Sequence, residues 1–570
     1  MKDVFGRFWA ALLTPTWLSR LILIEGVASV GSALSPTIEA RSEVVNSLVP
    51  GVFPAAATTG TAAIGIMLIL LARGLNRAKH RAWLVALILT LLAAATHLLK
   101  GLDVEESVMC TGMAVLLFLG RDQFTARPDA RSLKAVLSVI VVGPLIAAAL
   151  GWIWLTVDGD GQEHGTTALD RVVQAFLGLI GIPGPIHFNN ARHQEMATTA
   201  LAVLGAAVLV VALMALLRPP AGPAPISGAE EERMRALLDR WGSQDSLGYF
   251  TLRDDRAAIF GPGGAAISYR VLGGVSLSGG DPVGNPDAWD GAISAWLDEA
   301  RANGWTPAVI GAGEAAARAY QRAGLDVLEL GDEAILHAPR FTLDGREMRG
   351  VRQAVSRCER NGLSTEVRRM RDLPPEEIQH LRDLAEEWRE GAVERGFSMA
   401  LNRFGEPQDG DAVVVLARAE DTPVGLLHFV PWGKDGLSLE LMRRNRTSPN
   451  GVIETMVAGL MAEAPALGVE RVSLNFAVFR GVLARGEQLG AGPTARLGRA
   501  LLMGASKFWQ IDSLYRSNDK YRPEWVPRYL VYPKASDLAG VVSAVLQAEA
   551  FVPTPVWNNR KGEEQELLTT

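Results

Sequence analysis

Cysteine is almost absent: Cys110 and Cys358 are the two in 570 residues. They lie in separate regions with no CxxC or Cys/His spacing around them, which excludes a disulfide framework and a zinc site. Both read as ordinary buried thiols. Histidine is also scarce, eight in all, and no Ser/His/Asp order or Cys/His pair emerges. The sequence therefore offers neither a nucleophilic triad nor a metal centre, and it implies no cofactor. An excess of positive charge is missing too, since 56 Lys and Arg stand against 62 Asp and Glu for a net charge of −6. That balance argues against general nucleic-acid affinity, while a local basic patch would still suit a specific polyanion.

What the chain has in plenty is apolar residues, 48% of the total, at a mean hydropathy of +0.15. They concentrate before Arg218. Apolar runs of about 17 to 25 residues cross hydrocarbon, and that length picks out about six spans: Trp17–Leu34, Val52–Leu71, Trp83–Leu99, Val104–Leu119, Ala135–Val157 and Met196–Leu217. Arg20 and Glu25 interrupt the first. Charge in the loops alternates. Lys2 and Arg7, then Arg73, Arg77, Lys79 and Arg81, then Arg121, Arg127, Arg131 and Lys134, then Arg218 fall on one side. Asp103, Glu105 and Glu106, and Asp158, Asp160, Glu163 and Asp170, fall on the other. Cytoplasmic loops retain Lys and Arg, so a multi-pass protein of the plasma membrane with both termini in the cytoplasm is expected. No small-residue cleavage site follows the first run, so no cleaved signal peptide is expected. Ionisable groups within spans are costly and so are candidates for function. Glu25 is one, whereas His97 and Lys100 stand at a span end where snorkelling suffices.

The Pro/Gly-rich stretch 219–228 reads as a linker between the membrane domain, 1–218, and an α/β half. Strand-like runs at Gly248–Leu252, Ala257–Phe260 and Ala265–Val271 lead through GGDPVG to a helical stretch, Asp287–Asn303. A strand, PAVIG, and a helix, GEAAARAYQRAGL, follow and hand over through Gly324 to LDVLEL. The order helix, Gly, strand recurs where GVIETMVAGLMAEAPALG feeds ERVSLNF, so two copies of a mixed α/β unit are expected. The divisions are 229–345, 346–550 and a tail, 551–570. VIGAGEAAA lacks the third glycine of a dinucleotide fingerprint and reads as a plain helix start. In GGDPVG, Asp281 is open to two roles, orienting a ligand or clamping its own loop.

Projected at 100° per residue, Arg346, Arg349, Arg352, Arg357 and Arg360 fall within an arc of roughly 140°, opposite Val351, Ala354, Val355 and Cys358. The basic side is either a solvated face or a phosphate-binding one. Further on, Glu440 and Arg443 end a strand-like run and Asn450 stands at a helix cap. Glu454 faces out of that helix's first turn, and Asn475 ends the next strand. The segment YRSNDKYRPEWVPRYLVYP offers Tyr515, Asn518, Lys520, Tyr521 and Arg528 in one irregular stretch. Carboxylates, amides and cations of this kind suit holding an amine and an anion close together.

The motifs LMRR, PNG..E.MV, SLNFA.F, AGP..RL and LYRSN.KY.PEWVPRY, from Leu437 to Tyr532, resemble the phosphatidylglycerol lysyltransferase family, whose larger members include the multiple peptide resistance factor. The likeness is closest to versions that continue into a lysyl-tRNA synthetase, and it runs more thinly back to Glu230. It implies a tandem pair of acetyltransferase-like (GNAT) lobes that move an aminoacyl group, lysine foremost, from aminoacyl-tRNA to the glycerol hydroxyl of phosphatidylglycerol at the inner leaflet. Such a reaction changes membrane charge and so resistance to antimicrobial peptides. A homo-oligomer is allowed. By the resemblance, Glu440 and Arg443 take the place of the family's Asp-x-x-Arg pair, with Glu one methylene longer, and Lys520 joins them as the catalytic set. Glu440 and Glu454 would receive the donor ammonium, Arg443 would orient them, and Lys520 would meet phosphate or oxyanion. Asp281, Asn450, Asn475, Tyr515, Asn518, Tyr521 and Arg528 would line the substrate, and the five arginines would meet tRNA. The alternatives are alanyl or another aminoacyl transfer, an acyl-CoA or peptidyl-type N-acyltransferase, and a protein that only binds tRNA or lipid.

Overall fold

A computed structural model describes residues 13–34, 52–101, 103–127, 130–157, 162, 165–389, 391, 396–478 and 517–552. Tyr515, the tail beyond 552, and the loop charges Lys2, Arg7, Asp158, Asp160 and Glu163 lie outside them. The chain divides after Pro220.

The first unit is helical: α1 (Pro15–Leu34), α2 (Val52–Asn76), α3 (His80–Gly101), α4 (Val104–Leu119), α5 (Ala130–Val157), α6 (Ala168–Leu179) and α7 (Ala191–Leu216). Each of the six expected runs is a helix. Among the described residues, His80–Leu99, Ser132–Val157 and Arg192–Leu216 are long and apolar enough to cross a bilayer, with hydropathies of 2.2, 2.4 and 2.6. Many large apolar side chains of these helices face outward, Leu137, Val141, Leu145 and Ile153 among them, as lipid contact requires and water would oppose. The α1–α2 contact is made at two glycines: a Cβ on Gly26 would stand 2.7 Å from the Gly65 carbonyl, and the reverse holds as well. Small residues allow helices that close approach. Glu25 is buried, with Thr90 Oγ1 3.5 Å from its carboxylate. His97 is buried too, contrary to the expected snorkelling, because it lies on an inward face of α3.

Among its described residues the second unit holds twelve strands in one sheet. They are β1 (Ala257–Gly261), β2 (Ala265–Leu272), β3 (Val275–Gly279), β4 (Val283–Gly284), β5 (Thr306–Ala312), β6 (Asp326–His337), β7 (Leu363–Arg369), β8 (Val413–Ala419), β9 (Thr422–Trp432), β10 (Gly436–Arg444), β11 (Arg471–Val478) and β12 (Glu524–Tyr532). The helices are α8 (Ala229–Trp241), α9 (Trp289–Asn303), α10 (Glu314–Arg322), α11 (Arg349–Arg360), α12 (Pro375–Glu387), α13 (Val452–Leu467) and α14 (Leu538–Ala548). The strand order is β1-β2-β3-β5-β12-β6-β11-β10-β9-β8-β7, with β4 on β2. Two pairs are parallel, β3 with β5 and β10 with β11. Each is joined through a helix, as a parallel connection demands.

The last strands of the two halves are exchanged. β6 leaves β5 and pairs with β11, while β12 enters between β5 and β6. A division at residue 345 is therefore not how the cores divide: β12 and α14 contribute Leu530, Leu538, Val541 and Val545 to the core of Phe250, Leu277 and Ile310. Two other expectations are corrected. Gly248–Leu252 forms 3-10 turns rather than a strand. Residues 524–532 form a strand rather than an irregular stretch. Pro527 stands in it opposite Asp332 of β6, ahead of Tyr529 where β5 joins on the other side.

Candidate functional site

β10 and β11 stay paired only from Gly436–Ser438 to Arg471–Ser473. Beyond that point β10 follows β9 to Arg444 while β11 follows β6. Irregularities in register at Glu440 and after Ser473 accompany the parting, since bulges bend a strand away from its neighbour. Asn475, at φ +70°, bridges the strands through Nδ2 to the Leu439 carbonyl at 2.6 Å. A pocket of about 380 Å³ opens here. Its walls are β10 at Met442 and Arg444, β11 at Leu474, the first turn of α13, and the segment Ser517–Tyr521.

Of the residues expected in the site, the pocket gathers Asn450, Glu454, Asn518, Lys520 and Tyr521. Glu454 and Lys520, 66 positions apart, form an ion pair of 2.8 Å. Burial raises the Glu454 carboxyl, but the Lys520 bond and charge outweigh it and hold the group below its usual range. The Lys520 ammonium also lies 5.0 Å from the Tyr521 ring centre. Asn518 is buried and donates to the Leu474 carbonyl at 3.3 Å, tying the segment to β11. Asn450 is not the helix cap. That position belongs to Gly451, whose φ of +111° excludes other residues. A Cβ there would also stand 3.1 Å from Cys358 Sγ, so α11 abuts the start of α13 at this point.

Glu440 is elsewhere. Its carboxylate is buried, accepting from the amides of Leu401 at 3.1 Å and Asn402 at 3.2 Å and meeting His428 Nδ1 at 3.0 Å. Burial raises this carboxyl, and the His428 ring with the two amides more than offsets that, leaving it below its usual range. It thus anchors residues 401–402 beneath the sheet. Arg443, the next-to-last residue of β10, donates to the Met442 carbonyl at 3.0 Å.

Arg528 and Asp281 form a second assembly in the other half of the sheet. Arg528 is buried and bonds Glu333 at 2.6 Å, Asp245 at 2.7 Å, Ser246 Oγ at 2.6 Å and the Gly311 carbonyl at 3.1 Å. Asp281 accepts from the Gly313 amide at 2.6 Å, which ties its loop to the start of α10. Burial, then the charge of Asp245, pushes its carboxyl up to about 7 against the pull of Arg528. Ser473 Oγ, bonded to Glu333 at 2.5 Å, links this network to the Asn475 amide at 3.2 Å.

The basic stripe is largely as the periodicity predicts. Val351, Ala354, Val355 and Cys358 are buried and Arg349, Arg357 and Arg360 exposed. The helix begins at Arg349, so Arg346 precedes it. Arg352 turns back to the carbonyls of Leu343 and Gly345. Arg444 escaped the sequence reading, and only its place two residues past the LELM run hinted at it. Among the described residues no cluster of metal-ligating side chains occurs.

A family model described as phosphatidylglycerol lysyltransferase, C-terminal, matches residues 235–532. Another, described as the transmembrane region of lysyl-tRNA synthetase, matches residues 11–217. The lysylphosphatidylglycerol biosynthesis bifunctional protein LysX of Rhodococcus opacus is 42% identical over 501 residues, which cover 86% of this chain and 44% of that protein. LysX of Mycolicibacterium vanbaalenii is 42% identical over 503 residues, covering 86% and 45%. The chain thus spans less than half the length of these relatives. Among solved structures, L-PGS from Bacillus licheniformis aligns at a TM-score of 0.49 and 22% identity, over 57% of this chain and 97% of that one.

Proposed function

Because the chain belongs to the phosphatidylglycerol lysyltransferase family, whose model matches it over residues 235–532, we propose that it transfers an aminoacyl group, lysyl foremost, from aminoacyl-tRNA to the glycerol hydroxyl of phosphatidylglycerol at the inner leaflet. The observation that carries this reading is the pocket where β10 and β11 part, with Glu454 and Lys520 paired on its wall. A donor ester is already activated, so transfer asks for alignment of hydroxyl and carbonyl and for stabilisation of the oxyanion. The donor ammonium takes Glu454, which releases Lys520 to face the developing negative charge. Arg443, on the same strand as the pocket wall, and Asn475, at the parting of the strands, complete the surroundings of the reacting ester. Glu440 serves from below by fixing residues 401–402.

The exposed arginines of α11 supply the tRNA contact. Support comes from their exposure together on the side of α11 opposite the one buried against the start of α13. Six spans with cytoplasmic termini and two tandem acetyltransferase-like lobes complete the reading. They put the α/β unit where charged tRNA and the inner leaflet meet.

The test is lipid extraction from cells expressing the chain in a host without aminoacylated lipids, followed by mass spectrometry. Aminoacylated phosphatidylglycerol is expected, and its mass names the amino acid. Glu454→Gln and Lys520→Ala, normalised to protein level, should each lower the yield by about one to two orders of magnitude, as loss of a bond to a charged group implies. Absence of the product, or full yield from both variants, would defeat the proposal.

A further inference from the structure

The pocket has two chemically different ends. Glu454 and Lys520 neutralise one another across 2.8 Å. What remains is positive: Arg444 on the wall and the first turn of α13, a 16-residue helix headed by Gly451 with no side-chain cap. A helix start leaves amide hydrogens open and carries about half a positive charge. A further donor stands beside them. Tyr521 is 4% exposed, lines the pocket, and its hydroxyl is buried without a hydrogen-bond partner. Burying an unpaired hydroxyl costs free energy, so a partner from outside the chain is the natural acceptor. Burial, followed by the Glu454 charge, pushes this phenol well above its ordinary range, and it remains a donor.

The lining also selects among anions. Among the described residues of the α/β unit, Met442 and Val552 are the exposed large apolar side chains, and Met442 lines this pocket beside Arg444. An apolar lip next to a cation suits a lipid headgroup better than the ribose chain of an RNA, for which α11 offers its exposed arginines. We propose that the phosphodiester of the acceptor phosphatidylglycerol binds here, against the first turn of α13 and between Arg444 and the Tyr521 hydroxyl. The inference rests on the reading above, that the pocket serves transfer to this lipid.

The test varies each substrate separately with the full chain in mixed micelles. Tyr521→Phe keeps the ring and removes only an unpartnered hydroxyl, and Arg444→Ala alters an exposed side chain, so both variants should fold. Each should raise the apparent KM for phosphatidylglycerol about five- to tenfold, with kcat and the KM for aminoacyl-tRNA within about twofold. Arg444→Lys should recover part of the loss. Competition supplies the second arm: sn-glycero-3-phosphoglycerol should inhibit against the lipid, whereas glycerol should not. A rise in the tRNA KM instead, with inhibition by adenosine 5′-monophosphate, would assign the site to the RNA end and overturn the proposal, as would unchanged KM values in both variants. If the wild-type chain makes no aminoacylated lipid, the underlying reading fails. Binding of sn-glycero-3-phosphoglycerol, followed by ³¹P line broadening and its loss in Arg444→Ala, then decides the subsite by itself.

Discussion

Replacing Glu440 by Gln preserves size and removes one buried negative charge. The carboxylate holds three groups: two amides, of Leu401 and Asn402, on Oε1, and the His428 ring on Oε2. Gln keeps an oxygen for the amides, but its NH₂ now faces His428 Nδ1. Where that nitrogen carries its hydrogen, two donors oppose each other until the ring changes tautomer. A bond to a charged group contributes about 1.5 to 3 kcal/mol, so a loss of about 2 kcal/mol is expected, a few degrees in melting temperature for a unit of this size. The pH dependence fixes the sign. The folded carboxyl lies below its usual value, so its contribution is fully present above the unfolded pKa, about 4.3, and disappears as pH falls through the folded one. Wild type and variant should therefore differ at pH 5 and above and converge under more acidic conditions. Tryptophan fluorescence during thermal unfolding of the full chain in detergent reads the stability, and hydrogen exchange at Leu401 and Asn402 reads the local opening. An unchanged melting temperature and unchanged exchange, together with a tenfold or greater loss of transfer per folded molecule, would refute this anchoring role and return Glu440 to the chemistry.

Two further outcomes are expected. Arg349, Arg357 and Arg360 changed together to Gln should weaken tRNA binding and lower the magnitude of its salt slope by up to about 3, close to one for each phosphate no longer neutralised; an unchanged slope would make the stripe a solvated face. Asp281→Asn bears on the second assembly. Its carboxyl is pushed up to about 7, so the folded state binds the extra proton and wild-type stability falls as pH rises from about 4 to 7. The variant, which retains an acceptor for Gly313, should lack that fall and gain up to about 4 kcal/mol above pH 7, and denaturant melts at pH 5 and 8 would show it. An equal effect at both pH values would mean the carboxylate is ionised throughout.

Local patterns determined much of this protein. The apolar runs became helices because the runs and their breaks are short-range facts. The stripe of α11 buried Val351, Ala354, Val355 and Cys358 because helical period alone sets which residues share a side. The helix, glycine, strand order around Gly468 was equally local. Glu454, Asn518, Lys520 and Tyr521, expected in a site from their chemistry and from motifs close in sequence, line one pocket. Which of them touch was not legible in the sequence. Lys520 finds Glu454, Arg528 finds Glu333 across 195 positions, and Glu440 turns to His428 instead of the pocket, because ion pairs and strand partners are chosen by the path of the whole chain. The exchange of β6 and β12 between the halves is the clearest case. Neither strand carries a sequence mark of its neighbour, since a strand's alternation specifies a buried face and not the edge that will pair with it. That exchange, with the parting of β10 from β11, is what places a pocket at the start of α13 and a sealed ionic network in the other half.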